Sequence, residues 1–527
     1  MSFDSVTPLR FLLALSPIAS VLLLMVGFRW GGARAGAVGW LVALAASLLF
    51  FGADAEVLAY SQVRGVMLTL YVLYIIWMAL VLYNVVKESG AIAAIGEGMV
   101  RLTGDRVLQL LILAWVFSAF LQGVAGFGVP IAVVAPLLLG LGFSPVTAVA
   151  SVAAGHSWSV TFGDIAASFN ALIATTGLPG EVLAPWSAGL LGLSCFACGI
   201  AAACAYQGLD SLKRGIVAIL LIGTVMSGVQ YALAVTGLWN LAGFVAGLAG
   251  IAASALVARL AFYRTALASG GPAPTAHAGD APPEMPFALA VGAYIILVIV
   301  VGAAELVGPV HSVLNAVKIQ LQLPATQTAL GWTVESGATK GISLFGHAGA
   351  LLAYTSVAGY VLYRSTGRYT QGALGRILSN TVSSAVRSSI GIASMVGFAM
   401  MMDQTGMTYL LAIGLSRTLE SVFPFLSPFI GLLGAFMTGS NTNSNVVFAG
   451  LQQQTAGLLG LPATVILAAQ TTGGSLGSML APAKIIVGCS TAGLAGEEGQ
   501  VLRRTIVYGV LITIVIGIVT WLAVHTV

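Results

Sequence analysis

Apolar runs long enough to cross a bilayer recur along this chain, and they decide which solvent it can fold in. Crossing the hydrocarbon core as a helix takes about 20 apolar residues. Phe11–Phe28, Ala35–Phe51, Val66–Val86, Val107–Val124, Pro185–Tyr206, Gly215–Val235 and Leu238–Phe262 approach or exceed that length. So do Phe287–Val307, Ile342–Leu362, Val386–Met402, Pro424–Met437 and Thr505–Val524. Only 7% of the 527 residues are charged and 58% are hydrophobic, whereas a soluble domain carries roughly a quarter charged residues. A transmembrane barrel would instead show alternating segments of about ten residues. The pattern predicts an all-α polytopic membrane protein with about 12 spans.

Shorter segments broken by Gly and Pro lie between the spans: Val129–Gly142, Pro145–Phe162, Val446–Gly460 and Ala463–Leu480. They form two pairs, one in each half of the chain. The Pro/Ala/Gly-rich stretch around Ser269–Pro286 reads as a flexible linker over 265–286. It divides an N-terminal membrane half, 1–264, with a repeat core near 60–165, from a C-terminal half, 287–527, with a repeat core near 378–480. The halves share small matches. "SGAIAAIGEGMVRL" from Ser89 aligns with "TGMTYLLAIGLSRT" from Thr405, and "AFLQG" at Ala119–Gly123 with "AFMTG" at Ala435–Gly439. "TFGD" at Thr161–Asp164 falls opposite "SLGS" at Ser475–Ser478 in nearly the same register. This is the mark of an internal duplication.

Basic residues give the orientation. Arg29 and Arg34, then Lys87, Arg101 and Arg106, mark cytoplasmic loops. Val66–Val86 therefore runs inward. Its counterpart Val386–Met402 follows Arg364, Arg368 and Arg376 and runs outward, so the repeats are expected to be inverted.

Against this background the run "TGSNTNSNVVFAG", Thr438–Gly450, stands out. It falls where "VAGFGVP", Val124–Pro130, interrupts the first repeat. Broken helices inside a membrane occur only where protein or water covers the freed backbone groups. Two related breaks would meet near the midplane and present helix-end N–H groups and side-chain amides to a solute. Gly126, Phe127 and Gly128 from one break are the expected lining, with Ser440, Asn441, Thr442, Asn443 and Asn445 from the other. Ionisable residues in apolar segments are costly and mark function. His156 and Asp164 in "GHSWSVTFGD" are candidates to carry a coupling proton, as is Asp403 in "MMDQTGM", and His156 also joins the expected substrate-binding set. Lys484, in the second half's later break, is a candidate partner for a carboxylate.

Other chemistries find little support. Cys195 and Cys198 spell C-x-x-C inside an apolar run without flanking ligands, so they read as small residues at a helix contact. No phosphate-loop pattern accompanies the chain, and "GVAGFG" has no strand or ribose-binding acid of a dinucleotide site. His156 and Ser157 are adjacent and face different ways on a helix, which argues against a hydrolase dyad. A carrier needing no cofactor and no metal is expected rather than an enzyme. An anion channel or membrane scaffold is the competing class.

Four stretches carry a family resemblance: "GVAGFGVPIAVVAPLLLGLGFSP", "GAFMTGSNTNSNVVFAGLQQQTAGLLGLP", "GGSLGSMLAP" and "AGEEGQVLRRT". They resemble the lactate permease family of bacterial secondary transporters. The resemblance implies a symporter in the bacterial inner membrane that takes up 2-hydroxymonocarboxylates, such as lactate or glycolate, with protons. Sodium coupling or another organic anion is the alternative. The chain departs from the family pattern at functional positions. Gln122 and Asn441 stand where acidic residues are common, and Ser478 where lysine is common. Lys484 stands where glutamine is common, which adds Gln122 and Lys484 to the expected substrate-binding set.

Overall fold

The computed structural model describes residues 7–28, 30–126, 128–266, 285–494 and 497–526. The expected linker lies mostly outside these residues. Helices dominate. Among the described residues ten helices are long and apolar enough to cross a membrane, or eleven if one bent pair is counted as a span. That pair, Gly292–Leu306 and Gly308–Leu314, bends by 91° at Val307. The total falls slightly below the expected twelve because two runs behave differently. Ile342–Leu362 begins in a strand and becomes helical only at Ala348. Phe287–Val307 is broken at Val291 into a four-residue turn and the bent helix.

The two halves repeat one sequence of elements. Each starts with a long helix, Ala55–Glu88 or Ala373–Gln404. A left-handed glycine follows in each, Gly90 at φ +80° and Gly406 at φ +78°, and allows a tight turn that a side chain would strain. A short helix comes next, Ala91–Val100 or Met407–Leu419. Then comes the span that ends at the first break, Arg106–Val124 or Phe423–Thr438. Gly123 sits in the last turn of the former and Gly439 caps the latter, so both glycines mark the approach to a break. The Arg106–Val124 span, with a wide π-type stretch at Ile112–Phe117, is buried along its whole length and forms the centre of the molecule.

The two leading helices pack against each other in opposite directions. Gln62 Nε2 donates to the Gly397 carbonyl at 3.3 Å. Trp77 Nε1 donates to Ser389 Oγ at 2.9 Å, and Asn84 Nδ2 to Thr381 Oγ1 at 3.0 Å. Glu88 pairs with Arg376 at 2.7 Å. As the number rises on one helix it falls on the other, so the pair is antiparallel.

A feature without counterpart in the first half lies between Gly308–Leu314 and Ala348–Ser365. An antiparallel ribbon pairs Lys318 with Ser343, Gln322 with Ala338 and Thr326 with Val334. Its tip reaches the turn between Gly32–Phe50 and Ala55–Glu88, where Ala329 N donates to the Gly52 carbonyl at 2.8 Å. The expected C-x-x-C reading holds: Cys195 and Cys198 are free and buried, with Trp115 Nε1 bonded to the Cys195 carbonyl at 3.1 Å.

Candidate functional site

Four helices begin at the breaks: Val129–Gly140, Gly163–Thr176, Asn441–Leu458 and Pro482–Thr491. Their first turns leave backbone N–H groups without intrahelical partners and give each start a partial positive charge. They pack crosswise between the halves, Val129–Gly140 on Pro482–Thr491 and Gly163–Thr176 on Asn441–Leu458.

The first break turns on two glycines. Gly128 takes φ +85° to start its helix. A side chain at Gly126 would collide with the Asp164 carboxylate and with the Gln122 amide nitrogen. The Gly126 N–H donates to Asp164 Oδ1. Asp164, Ile165 and Ala166 are all left-handed, at φ 49°, 53° and 57°, each costing about 1–2 kcal/mol for an L-residue. That turn brings the Asp164 carboxylate to the Gly126 break of the same half. Phe127 lies outside the described residues.

The polar run of the second half opens a helix. The break there is only Gly439–Ser440, and Asn441 to Asn445 form the first turn of a helix. The local reason is capping: Ser440 is extended at φ −147° and its hydroxyl accepts the Asn443 N–H at 3.4 Å. Thr442 Oγ1 shares a hydrogen bond with Ser168 Oγ at 3.0 Å. Asn441 Nδ2 donates to Thr161 Oγ1 at 3.0 Å and to the Thr471 carbonyl at 3.2 Å. Asn445 Nδ2 donates to the Ser168 carbonyl and to Thr471 Oγ1, both at 2.9 Å. Both amides thus bond carbonyl groups, which fixes which end is nitrogen. Ser475 Oγ joins this network to the other half by donating to the Ser157 carbonyl at 2.6 Å.

Several atoms are left over. The oxygens Asn441 Oδ1, Asn443 Oδ1 and Asn445 Oδ1 are buried without a partner, as are both side-chain polar atoms of Gln122 and Thr472 Oγ1. Native interiors pair most such groups, so a cluster of them marks a place for a polar guest. His156 is fully buried; its Nδ1 lies 2.6 Å from the Val152 carbonyl and its Nε2 has no partner. A carbonyl only accepts, so Nδ1 carries the proton and Nε2 presents a lone pair. Lys484 is buried beside Gly128, donates its ammonium to Ser478 Oγ, and feels both Asp164 and His156 electrostatically.

Two cavities approach from opposite ends of the antiparallel pair. One of about 310 Å³ reaches Gly128 and Val129 past Asn84 and Lys87. The other, about 700 Å³, is bounded by Arg64, Asn170 and Asp403. Arg64 and Lys87 are about 35 Å apart along one helix, roughly a bilayer's hydrocarbon thickness. Asp403 therefore does not join the Lys484 cluster. It lies at the mouth of the larger cavity, where Gln404 Nε2 and Gln454 Nε2 donate to it at 3.0 and 3.1 Å.

A family model described as L-lactate permease matches residues 10–527, almost the whole chain. The chain belongs to the L-lactate permease family. It is similar to the L-lactate permease of Bacillus subtilis, 28% identical over 98% of each chain. It is also similar to the glycolate permease GlcA of Escherichia coli, 27% identical over 98% of this chain and 95% of that one. Among solved structures, the YdaH transporter of Alcanivorax borkumensis matches 90% of each chain at 16% identity with a TM-score of 0.48. As a permease-family member with this many apolar helices, the chain is a multi-pass membrane protein of a transporter family.

Within this permease fold the departures from the family pattern gather in space. Gln122 sits beside Gly126 and Gly163, Asn441 beside Gly474, and Ser478 one helical turn after Gly474, bonded to Lys484. Sequence reasoning missed the partners that hold them. Thr161, Ser168, Thr471 and Ser475 are common polar residues of membrane helices, and nothing in their spacing sets them apart.

Proposed function

We propose that this permease is a secondary transporter for small 2-hydroxymonocarboxylates, lactate or glycolate, in a bacterial inner membrane. One observation carries the reading: the breaks hold a buried ammonium, Lys484 beside Gly128, and three buried unpartnered amide oxygens, those of Asn441, Asn443 and Asn445. An ammonium suits a carboxylate, which cannot enter a dry cavity unpaired. Acceptor oxygens suit the proton of a neighbouring hydroxyl. The relatives named for lactate and glycolate support the same substrate class.

Transport would follow an alternating-access cycle between the two cavities. The antiparallel leading helices and the crosswise packing of the break helices support an inverted repeat, in which each half supplies one wall of the site. Asp164, bonded to the Gly126 N–H, and the free Nε2 of His156 are the groups proposed to take up a coupling proton. A second reading is sodium coupling, and the three free amide oxygens favour it, because hard cations take oxygen ligands.

Uptake of labelled L-lactate, glycolate and acetate into proteoliposomes, with pH and sodium gradients imposed separately, tests the proposal. An inward proton gradient is expected to accelerate L-lactate uptake, and internal L-lactate to drive counterflow. Uptake that follows only a sodium gradient would select the second reading. Conduction without counterflow would overturn the carrier.

A further inference from the structure

The larger cavity contains donors that the transport site does not use. His347 Nδ1 accepts the Gly349 N–H at 3.2 Å as a helix cap. The ring's proton is therefore on Nε2, which is buried and has no partner. The ring is clamped between Tyr71, edge-on at 4.5 Å, and Tyr74, stacked at 5.1 Å, so this N–H is held in place. Arg64 Nε and Thr175 Oγ1, on other walls of the same cavity, are also buried and unpartnered.

Cations reinforce these donors. Lys318 and Lys340 enter from the base of the ribbon, and the Lys340 ammonium lies over the Tyr71 ring at 5.2 Å. Among the described residues neither lysine makes a salt bridge. Two carboxylates also line the cavity: Asp403, which accepts from Gln404 Nε2 and Gln454 Nε2 at 3.0 and 3.1 Å, and Glu305. The wall thus sets three cations, Arg64, Lys318 and Lys340, against two carboxylates, with the His347 N–H beside them. Lys318 is exposed and Lys340 half-buried, whereas His347 Nε2, Arg64 Nε and Thr175 Oγ1 are buried and cost free energy until a partner arrives.

We infer that this cavity is a second binding site for a small carboxylate, where the transported anion is staged before it enters the central site. The inference rests on the carboxylate-transporter reading above. A carboxylate supplies two acceptor oxygens and one charge and is small for 700 Å³, so it can arrive hydrated. Asn170 lines the cavity and lies on the helix that follows the left-handed turn at Asp164, so one element links the two sites. The ribbon, which supplies both lysines, is the outer wall of the staging site and helps select what enters it.

Calorimetry with L-lactate on the full chain in nanodiscs tests this. The wild type is expected to bind at two sites per chain. Asn441→Leu, which blocks the central site, is expected to keep one. Adding Lys318→Gln and Lys340→Gln to that variant is expected to weaken the remaining site about tenfold. In proteoliposomes the two lysine changes alone are expected to raise the KM for L-lactate about fivefold. Adding His347→Phe to Asn441→Leu, which keeps the ring and removes the N–H, is expected to weaken the same site. Asn441→Leu binding no L-lactate while the wild type binds one would overturn the staging site and leave the transporter reading intact. Residual binding that ignores the lysine and histidine changes would also overturn it. A wild type that neither binds nor moves L-lactate would overturn both.

Discussion

The Lys484 ammonium reaches back to hydrogen-bond the hydroxyl of Ser478, the position at which the family pattern carries a lysine. Six residues separate the two in sequence, but the chain turns at Met479–Ala481 before Pro482 starts a new helix, and the side chain crosses that turn. The positive charge is thus delivered to nearly the same place from the far side of a break. Lys484→Met keeps the length and removes the charge. It is expected to weaken L-lactate binding by about tenfold, or about 1.4 kcal/mol, in calorimetry. Ser478→Lys with Lys484→Gln is expected to recover part of that loss. Unchanged affinity in Lys484→Met would leave the helix-start amides as the anion site.

Asn441 and Asn445 tie the two halves together with their nitrogens and leave their oxygens free. Replacing either by Leu removes hydrogen bonds worth about 1–3 kcal/mol each once buried. Uptake is expected to fall below detection while the protein still elutes as a folded species in size-exclusion chromatography. Normal uptake in both variants would remove the run Asn441–Asn445 from the site.

The antiparallel register can be read chemically. Asn84→Cys with Thr381→Cys, in a background whose four cysteines are changed to Ala, is expected to form a disulfide on mild oxidation, because the parent side chains bond at 3.0 Å. Gln62→Cys with Thr381→Cys is expected to stay reduced. The reverse outcome on non-reducing gels would reject the helix pairing.

Phe423–Thr438 and Ala463–Gly477 approach closely through glycines. A side chain at Gly473 would run into the Pro428 carbonyl, and one at Gly431 into the Gln470 carbonyl. Small residues at such contacts let membrane helices pack backbone to backbone. Gly473→Val is expected to lower the thermal unfolding temperature, at a cost of about 1–3 kcal/mol or more. Gly450→Val, with open space around it, is expected to change little.

The sequence made the membrane helices, the duplication and the first break legible, because each leaves a local mark: apolar length, matched short motifs, and Gly126–Gly128 before Pro130. The conformation of Asn441–Asn445 was less legible. Asn disfavours helix interiors, but at the first turn after a Ser cap the helix is favoured, and burial against Thr471 and Ser168 fixes it. The ribbon was hidden by the apolar residues of Ile342–Leu362, although the alternation of Lys318-Ile319-Gln320-Leu321-Gln322-Leu323 carries the period of a strand. Asp403 follows an apolar stretch and stands at a helix end, and the structure sets it at the larger cavity. Where a helix ends relative to a cavity depends on packing across the chain, which no local window holds.

The left-handed turn at Asp164–Ala166 has a consequence for timing. Three residues are kept in a sparsely populated basin while one of their side chains is bonded across to the Gly126 backbone. The turn works as a cocked spring with a single catch. Any event that loosens the Asp164 carboxylate from Gly126, such as a proton arriving or an anion drawing Lys484 away, frees the backbone to rewind. The helix that follows this turn carries Asn170 on the larger cavity's wall, so the Asp164 carboxylate and that wall share one rigid element.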